Sequence, residues 1–139
     1  MWNARWVGKE AFATTNHKGY KVGRILGRMY KAHRVIWTIQ TGEWTKDQID
    51  HRDTDPANNR WHNLREATHA QNMCNSGKQA NNTSGYKGVS WCRRRKKWRS
   101  MVGYNRQQYY LGYFDTPEEA YAAYREAAEK YHGEFANIS

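Results

Sequence analysis

A run of small polar residues in the middle of the chain sets the strongest limit on its fold. Residues 75–84 read Asn-Ser-Gly-Lys-Gln-Ala-Asn-Asn-Thr-Ser, which is the composition of a linker. We therefore predict a first domain over residues 1–75, a linker over 76–84 and a second domain over 85–139. Units this small bury only ~60% of their unfolded surface, so each core is thin. Seven Trp and ten Tyr residues compensate, because aromatic side chains bury a large area each.

The first domain has the pattern of a hairpin followed by strand, loop, strand and helix. The predicted hairpin has its turn at Leu26–Gly27, and the last helix has Thr68 as N-cap with Gln71 completing a capping box. The hairpin spans residues 19–31 and is followed by a helix over 33–40 that stops at Gly42. After the helix we predict a strand over 48–52, a polar loop over 53–60 and a strand over 63–65. Residues 1–18, with Trp2, Trp6 and Phe12, give no clear pattern.

The second domain is predicted to be three strands and one helix. The strands span residues 87–91, 97–103 and 108–114. Thr116-Pro117-Glu118-Glu119 has the N-cap, the Pro and the Glu that begin a helix, and Gly133 ends it. The chain is therefore expected to be of the α+β class, with a three-stranded antiparallel sheet packed on one helix at its C-terminal end.

Four polar residues of the first domain have spacings that suit a nuclease site: Asp50, His51, Asn63 and Asn72. The carboxylate of Asp50 and the amide oxygen of Asn72 are hard ligands, which favour Mg²⁺ or Mn²⁺ over zinc. His51 can act as general base, because its pKa lies near neutrality. Asn63 would hold the loop that aims His51. Each residue alone is weak evidence, since Asp-His pairs occur by chance, but the set together with the strand–loop–helix order is fairly specific.

The chain is strongly basic, with a net charge of +10, and its charge is uneven. No Asp or Glu occurs over residues 67–114. This stretch interleaves cations with Trp and Tyr, which favours phosphate contact over a merely solvated basic face. The predicted DNA-binding residues in and around this stretch are Lys87, Arg93, Arg94, Arg95, Lys97, Arg99, Arg106 and Tyr110.

Other chemistries find little support in the sequence. Cys74 and Cys92 form no CxxC pair and no zinc-finger spacing. No apolar stretch is long enough to span a membrane, and the N-terminus lacks a signal-peptide core. We therefore expect a cytoplasmic protein that is not secreted and has no membrane partner.

Two segments resemble known families. Asp50-His51, Asn63-Leu64 and Asn72, preceded by Ala32-His33-Arg34-Val35-Ile36-Trp37, resemble the HNH (ββα-metal) endonucleases, and most closely the phage and intron-encoded homing variants whose last motif residue is Asn. The resemblance implies that Asp50 and Asn72 bind a divalent metal, that His51 activates water and that Asn63 orients its loop. It also implies a phosphate contact for His33.

The second resemblance is to the Apetala/ethylene-response-factor DNA-binding domain, over residues 84–139. It rests on Tyr86-Lys87-Gly88-Val89, Leu111-Gly112-Tyr113-Phe114-Asp115-Thr116 and Glu118-Glu119-Ala120. Ser90 and Cys92 stand where the plant domains use arginines on DNA, so the target sequence does not transfer. This module is commonly fused behind an HNH nuclease in phage and mobile-element proteins.

The sequence thus predicts a small Mg²⁺-dependent HNH homing-type endonuclease that acts on double-stranded DNA. One site per chain predicts a monomer that nicks, since a double-strand break needs two copies or two visits. Two alternatives stay open at this point. One is a DNA-binding regulator with an inert nuclease remnant, and the other is an RNA-binding protein, because basic and aromatic strands also suit unstacked bases.

Overall fold

The computed structural model describes residues 10–138, so Trp2 and Trp6 lie outside the described residues. Contacts between residues divide the chain into a first unit that ends at Glu66 and a second unit that begins at Ala67. The elements of the first unit are β1 (Thr14–Thr15), β2 (Lys21–Ile25), β3 (Arg28–Lys31), α1 (Ala32–Thr41), β4 (Gln48–His51) and β5 (Leu64–Ala67). Those of the second are α2 (His69–Asn75), β6 (Val89–Cys92), β7 (Lys97–Tyr104), β8 (Gln107–Phe114) and α3 (Pro117–His132).

The predicted hairpin of the first unit is present and gains a short third strand. Strands β1, β2 and β3 form one antiparallel sheet in that order. Leu26 and Gly27 make the turn with φ of 48° and 80°, which fits a tight two-residue hairpin loop. Helix α1 follows at once and ends at Gly42, whose φ of 79° gives a left-handed C-cap.

A second, two-stranded sheet in the first unit joins β4 to β5. A turn of 3₁₀-helix over Trp61–Asn63 leads directly into β5. Arg34 links α1 to the segment before β4, because its guanidinium donates to the carbonyls of Thr45 (2.7 Å) and Asp47 (3.3 Å). The strand predicted to begin at residue 63 is β5, which begins one residue later in the structure. Residues 61–63 form the 3₁₀ turn instead.

The second unit contains the predicted three-stranded antiparallel sheet, in the order β6, β7, β8. Helix α3 packs against β7 and β8 around a core that includes Val102, Tyr124, Ala127 and Ala128. Val102 is fully buried on β7, as alternation along the strand predicts for a residue that faces the helix. The predicted α+β class, with its sheet packed on a C-terminal helix, is confirmed.

Both helices of the second unit begin with the capping boxes that the sequence predicts. The hydroxyl of Thr68 accepts from the backbone N–H of Gln71, and Thr116 does the same with Glu119. Each of these side chains satisfies a backbone N–H group that would otherwise lack a partner at the start of a helix. Local sequence therefore determines where both helices begin.

Part of the predicted linker is held by hydrogen bonds of its own. The Ser84 hydroxyl donates to the carbonyls of Tyr86 (2.9 Å) and Val89 (2.8 Å), and the Asn82 amide donates to Tyr86 at 2.7 Å. These bonds attach residues 82–84 to the start of β6. Contacts divide the chain between Glu66 and Ala67, so the predicted boundary at 76–84 stays a prediction.

None of the helices within residues 10–138 combines the length and the apolar character needed to cross a membrane.

Gly88 provides a sharp test of packing in the second unit. It has a φ of 74°, and a Cβ there would lie 2.1 Å from Cδ2 of buried Tyr124 and 2.7 Å from the Met101 carbonyl oxygen. Gly85 has a φ of 80°, but a Cβ at that position would meet no heavy atom within 4 Å. We expect Gly85→Ala to cost about 1–2 kcal/mol through left-handed strain alone. Gly88→Ala should cost about 3–5 kcal/mol, because overpacking adds to that strain. Urea unfolding of both variants measures the difference, and equal costs would contradict the packing described.

Candidate active site

His51 lies at the end of β4, where the strand gives way to a turn. The residue is only 5% exposed, and its Nε2 lies 3.0 Å from Oδ1 of Asn59. When Nε2 donates to Asn59, the lone pair of the imidazole lies on Nδ1. The backbone N–H of Thr54 donates to the His51 carbonyl at 2.9 Å, so the chain turns immediately after the histidine. This fixes both the ring and the backbone of a residue suited to general-base chemistry.

Asp50 precedes His51 and is equally buried. Its Oδ2 accepts a hydrogen bond from Nε of Arg65 at 2.8 Å, and the side chains of Arg65 and Asp50 are only 7% and 5% exposed. A buried carboxylate needs such a partner, since an isolated charge in the interior is very unfavourable. Arg65 on β5 thereby fixes the direction in which the carboxylate of Asp50 points.

Asn63 makes several hydrogen bonds to the loop that follows His51. Its Oδ1 accepts from the Asp53 backbone at 3.1 Å, and its Nδ2 donates to Oδ1 of Asp53 at 2.9 Å and to the Asn58 carbonyl at 2.8 Å. Its own carbonyl accepts from the N–H of Arg52 at 2.9 Å. Partial burial tends to raise the pKa of Asp53, but the hydrogen bonds from Asn63 and Asn58 outweigh it and hold that pKa below its usual value.

His33, on the first turn of α1, packs against His51 and Tyr20. The two imidazole rings meet edge to face with centroids 5.0 Å apart, and the Tyr20 ring lies 5.2 Å from His33 and 5.9 Å from His51. His33 is 4% exposed, and its Nδ1 has no hydrogen-bond partner among residues 10–138. Burial, reinforced by the neighbouring His51, lowers the pKa of His33 to about 3. A neutral, buried ring is poorly suited to the phosphate contact expected of His33.

Asn72 lies in α2, which belongs to the second unit. The residue is half-buried, and its backbone N–H donates to the Thr68 carbonyl at 3.0 Å. The structure thus brings Asp50, His51 and Asn63 together within the first unit, and it places Asn72 on the helix that directly follows β5. Within residues 10–138 there is no cluster of three or more His, Cys, Asp or Glu side chains that could hold a metal.

One face of the second unit's sheet, together with Arg95 in the turn that precedes β7, gathers predicted DNA-binding residues. The strand register pairs Arg99 with both Ser90 and Tyr113, and the Arg99 guanidinium donates to the Ser90 hydroxyl at 3.2–3.3 Å. The guanidinium of Arg95 lies 4.9 Å from the ring centroid of Tyr113, and Tyr110 lies beside that ring at 5.3 Å. Arg95, Arg99 and Tyr110 are exposed, so the face offers cations and an aromatic surface to solvent. We call these residues, Ser90, Arg95, Arg99, Tyr110 and Tyr113, the basic face.

The other predicted DNA-binding cations lie in different settings. Arg93 and Arg94 are exposed in the turn between β6 and β7, and Arg106 is exposed in the turn between β7 and β8. Lys97 forms an exposed ion pair with Asp115 at 2.9 Å. The ammonium of Lys87 donates to the carbonyls of Cys74 and Ser76 at the end of α2.

Comparison with known proteins identifies two families along the chain. A family model described as HNH endonuclease matches residues 30–74, and one described as AP2 domain matches residues 84–134. Protein 3.8 of Escherichia phage T7 is 36% identical over 115 residues, which are 80% of this chain and 94% of that protein. The chain belongs to the phage-type proteins that join an HNH endonuclease domain to an AP2 DNA-binding domain. No solved structure matches it.

The HNH match contains every residue proposed for the catalytic site. It begins in β3 and ends within α2, so it includes the last helix of the motif. Contacts, in contrast, place α2 with the AP2 domain in the second unit. The HNH motif therefore extends across the boundary between the two compact units.

Two residues of the site were missed by sequence reasoning. Asn59 contacts the ring of His51, and Arg65 pairs with Asp50. Asn59 lies in a polar loop whose composition indicates turns only. Arg65 is on a strand only four residues long, in which alternation gives a weak signal. Neither position has a local pattern that reveals its partner, because both contacts bring together residues on separate elements.

The low pKa of His33 predicts how stability changes with pH. The folded protein keeps this ring neutral down to about pH 3, whereas the unfolded chain protonates it near its ordinary pKa of 6.5. Between pH 3 and pH 6.5 the unfolded state therefore binds more protons than the folded state. The contribution of neutral His33 to the free energy of unfolding is complete above pH 6.5 and is lost as the pH falls toward 3. One such group changes the unfolding free energy by up to about 1.4 kcal/mol per pH unit.

Urea unfolding between pH 7 and pH 5 measures this dependence. The slope of stability against pH should be smaller in His33→Phe than in wild type, because the phenyl ring cannot be protonated. His62→Phe, at an exposed histidine, is the matched control and should keep the wild-type slope. Equal slopes in His33→Phe and wild type would show that His33 is not held neutral.

Proposed function

We propose that this protein is a metal-dependent HNH endonuclease of the homing type, which hydrolyses phosphodiester bonds in duplex DNA and is targeted by its AP2 domain. The observation that carries the proposal is the setting of His51 within the HNH match. Its ring is buried, oriented by Asn59 and adjacent in sequence to a carboxylate that Arg65 holds in place. We expect the active form to be a monomer. It would act in the host cytoplasm, where its DNA substrate is found.

The chain's own residues would divide the work of hydrolysis. His51 takes the proton of the attacking water, with Asn59 fixing the tautomer and the direction of the ring. Asn63 keeps the loop after β4 closed through its bonds to Asp53 and Asn58, so that the His51 backbone does not shift. His33 packs against the imidazole of His51 as a neutral ring and limits its rotation.

The donor set suits a hard divalent cation. Asp50 and Asn72 offer one carboxylate and one amide oxygen, and Mg²⁺ commonly takes one or two protein oxygens with phosphate and water completing its octahedron. These two residues would hold Mg²⁺ or Mn²⁺. When bound, the cation stabilises charge on the scissile phosphate and on the departing 3′ oxygen. The expected products carry a 5′ phosphate and a 3′ hydroxyl, and one site per chain gives a nick.

The basic face would position the duplex for cutting. Arg95 and Arg99 lie beside the aromatic rings of Tyr110 and Tyr113, and cations on a two- or three-stranded sheet can enter the major groove. Arg93, Arg94, Lys97 and Arg106 would add phosphate contacts, which supply affinity but little sequence information. A homing role would be tested by mapping cleavage in DNA that flanks the gene's own insertion point.

One observation favours the alternative of a DNA-binding regulator with an inert nuclease remnant. The carboxylate of Asp50 is engaged by the buried guanidinium of Arg65, and this ion pair competes with a metal ion for the same charge. One measurement, metal-dependent nicking of plasmid DNA, distinguishes the two functions. Nicking of supercoiled plasmid that requires Mg²⁺ and stops with EDTA supports the nuclease, whereas binding without cleavage supports the regulator.

Replacing the proposed base should separate cleavage from binding. We expect His51→Ala to lower the single-turnover cleavage rate by about 10²–10⁴-fold, because a positioned general base contributes that much. Its affinity for uncut duplex in EDTA should stay within about twofold of wild type, since His51 is buried in the first unit and the basic face belongs to the second. His62→Ala, at an exposed histidine, should cleave normally. If His51→Ala cleaves DNA at the wild-type rate, His51 is not the general base.

Neutralising part of the basic surface should weaken binding through charge. We expect the triple variant Arg93→Gln, Arg95→Gln and Arg99→Gln to bind duplex DNA less tightly. The slope of log affinity against log salt should fall by about one for each phosphate interaction that the substitutions remove. The matched control removes three charges elsewhere in the second unit, with Lys78→Gln, Arg125→Gln and Lys130→Gln, all exposed. Equal losses in both variants would mean that only net charge matters, and a preference for single-stranded RNA in a competition gel would favour the RNA-binding alternative.

A further inference from the structure

Helix α2 is too short to be stable without outside support. It has seven residues, whereas isolated helices below about 12–15 residues are marginal in water. Its N-terminus has the capping box of Thr68 and Gln71, but this satisfies only the first turn. The carbonyl groups of the last turn need partners from elsewhere.

Those partners come from distant parts of the second unit. Met73 accepts from the backbone and the hydroxyl of Ser76. The next two carbonyls accept from side chains far away in sequence: Cys74 from the ammonium of Lys87 at 2.8 Å, and Asn75 from the amide of Asn137 at 2.8 Å. The helix also packs against β7 and against the 3₁₀ turn at Gly133–Phe135.

The geometry at Lys87 is that of a helix cap. Its ammonium reaches two carbonyls at once, those of Cys74 and Ser76, the latter at 2.5 Å. A cation at a helix C-terminus is also favoured by the helix dipole. Burial lowers the pKa of this amino group, which is the response expected of an ammonium withdrawn from water.

Asn137 provides the second attachment and is itself buried. It is 6% exposed, and Asn75, whose carbonyl it contacts, is 4% exposed. Removing the Asn137 amide would therefore take away a hydrogen bond between two buried groups, which is costly because a buried acceptor loses one of its donors. The two attachments come from separate parts of the second unit, one just before β6 and the other after α3.

We propose that Lys87 and Asn137 are positioning residues for the nuclease site, which hold α2 and thereby fix Asn72 as a ligand of the divalent cation. The inference rests on the proposed function, because it gives Asn72 its role in binding metal. In this role, residues of the second unit would hold the helix that carries Asn72 in addition to binding DNA. Groups that orient metal ligands commonly affect metal affinity or activity by about 10–100-fold when they are replaced.

Three variants of the full-length protein test this role. Lys87→Met removes the ammonium, and Asn137→Ala removes the second attachment without any change in charge. Lys78→Met is the matched control, because its ammonium donates to the Gly85 carbonyl and not to the carbonyls of α2. We expect Lys87→Met and Asn137→Ala to speed amide hydrogen exchange in α2 by at least about tenfold relative to β7, and Lys78→Met to leave it unchanged.

Metal binding is the second readout and needs no turnover. In a His51→Ala background with uncut duplex DNA, Mn²⁺ affinity measured by electron paramagnetic resonance should fall about tenfold or more in Lys87→Met and Asn137→Ala. Affinity of the Asn137→Ala variant for duplex in EDTA should stay within about twofold of wild type. A salt slope smaller by about one in Lys87→Met alone would instead identify Lys87 as a phosphate contact and overturn the inference.

The outcomes also separate this inference from the proposed function. Unchanged exchange in α2 shows that the attachments are dispensable and overturns the positioning role. Faster exchange with unchanged Mn²⁺ affinity overturns it as well, because the helix then loosens without consequence for the ligand. Absence of Mn²⁺ binding and cleavage in the wild-type protein overturns the proposed function itself, and the metal-related role of Lys87 and Asn137 falls with it.

Discussion

Short elements leave many backbone groups without partners, and this protein satisfies them with side chains. Strands β4 and β5 have four residues each and α2 has seven. Elements of this length contribute few backbone hydrogen bonds of their own, while their buried ends still require partners. Amide and cationic side chains supply them: Asn63 holds the loop after β4, and Lys87 and Asn137 hold the end of α2. The residues of the candidate site are therefore positioned in part by polar contacts between side chains and backbone.

The parts of the fold that the sequence predicts are those governed by local rules. The capping boxes at Thr68 and Thr116 involve residues three positions apart, and the hairpin turn at Leu26–Gly27 involves two neighbours. Such signals depend on the backbone within one turn, so they can be recognised without the tertiary structure. The amphipathic pattern of α3 was equally informative, because its buried residues recur along one face of a long helix.

The parts that sequence reasoning missed depend on contacts between distant residues. The bond from Asn137 to Asn75 joins residues 62 positions apart, and the pair of Asp50 and Arg65 joins residues 15 apart. His33 illustrates the same limit, because the family resemblance implies a phosphate contact and the sequence does not reveal which rings surround the imidazole. Its burial against Tyr20 and His51 makes it a neutral ring instead. Composition and spacing identify the residue types at the site, but the tertiary contacts decide their charge and direction.

The division of the chain by families and its division by contacts reflect different properties of the molecule. The HNH match includes α2, because the motif is defined by the order of its residues along the chain. The contact division assigns α2 to the AP2 side, because a seven-residue helix takes its stability from whatever satisfies its carbonyls.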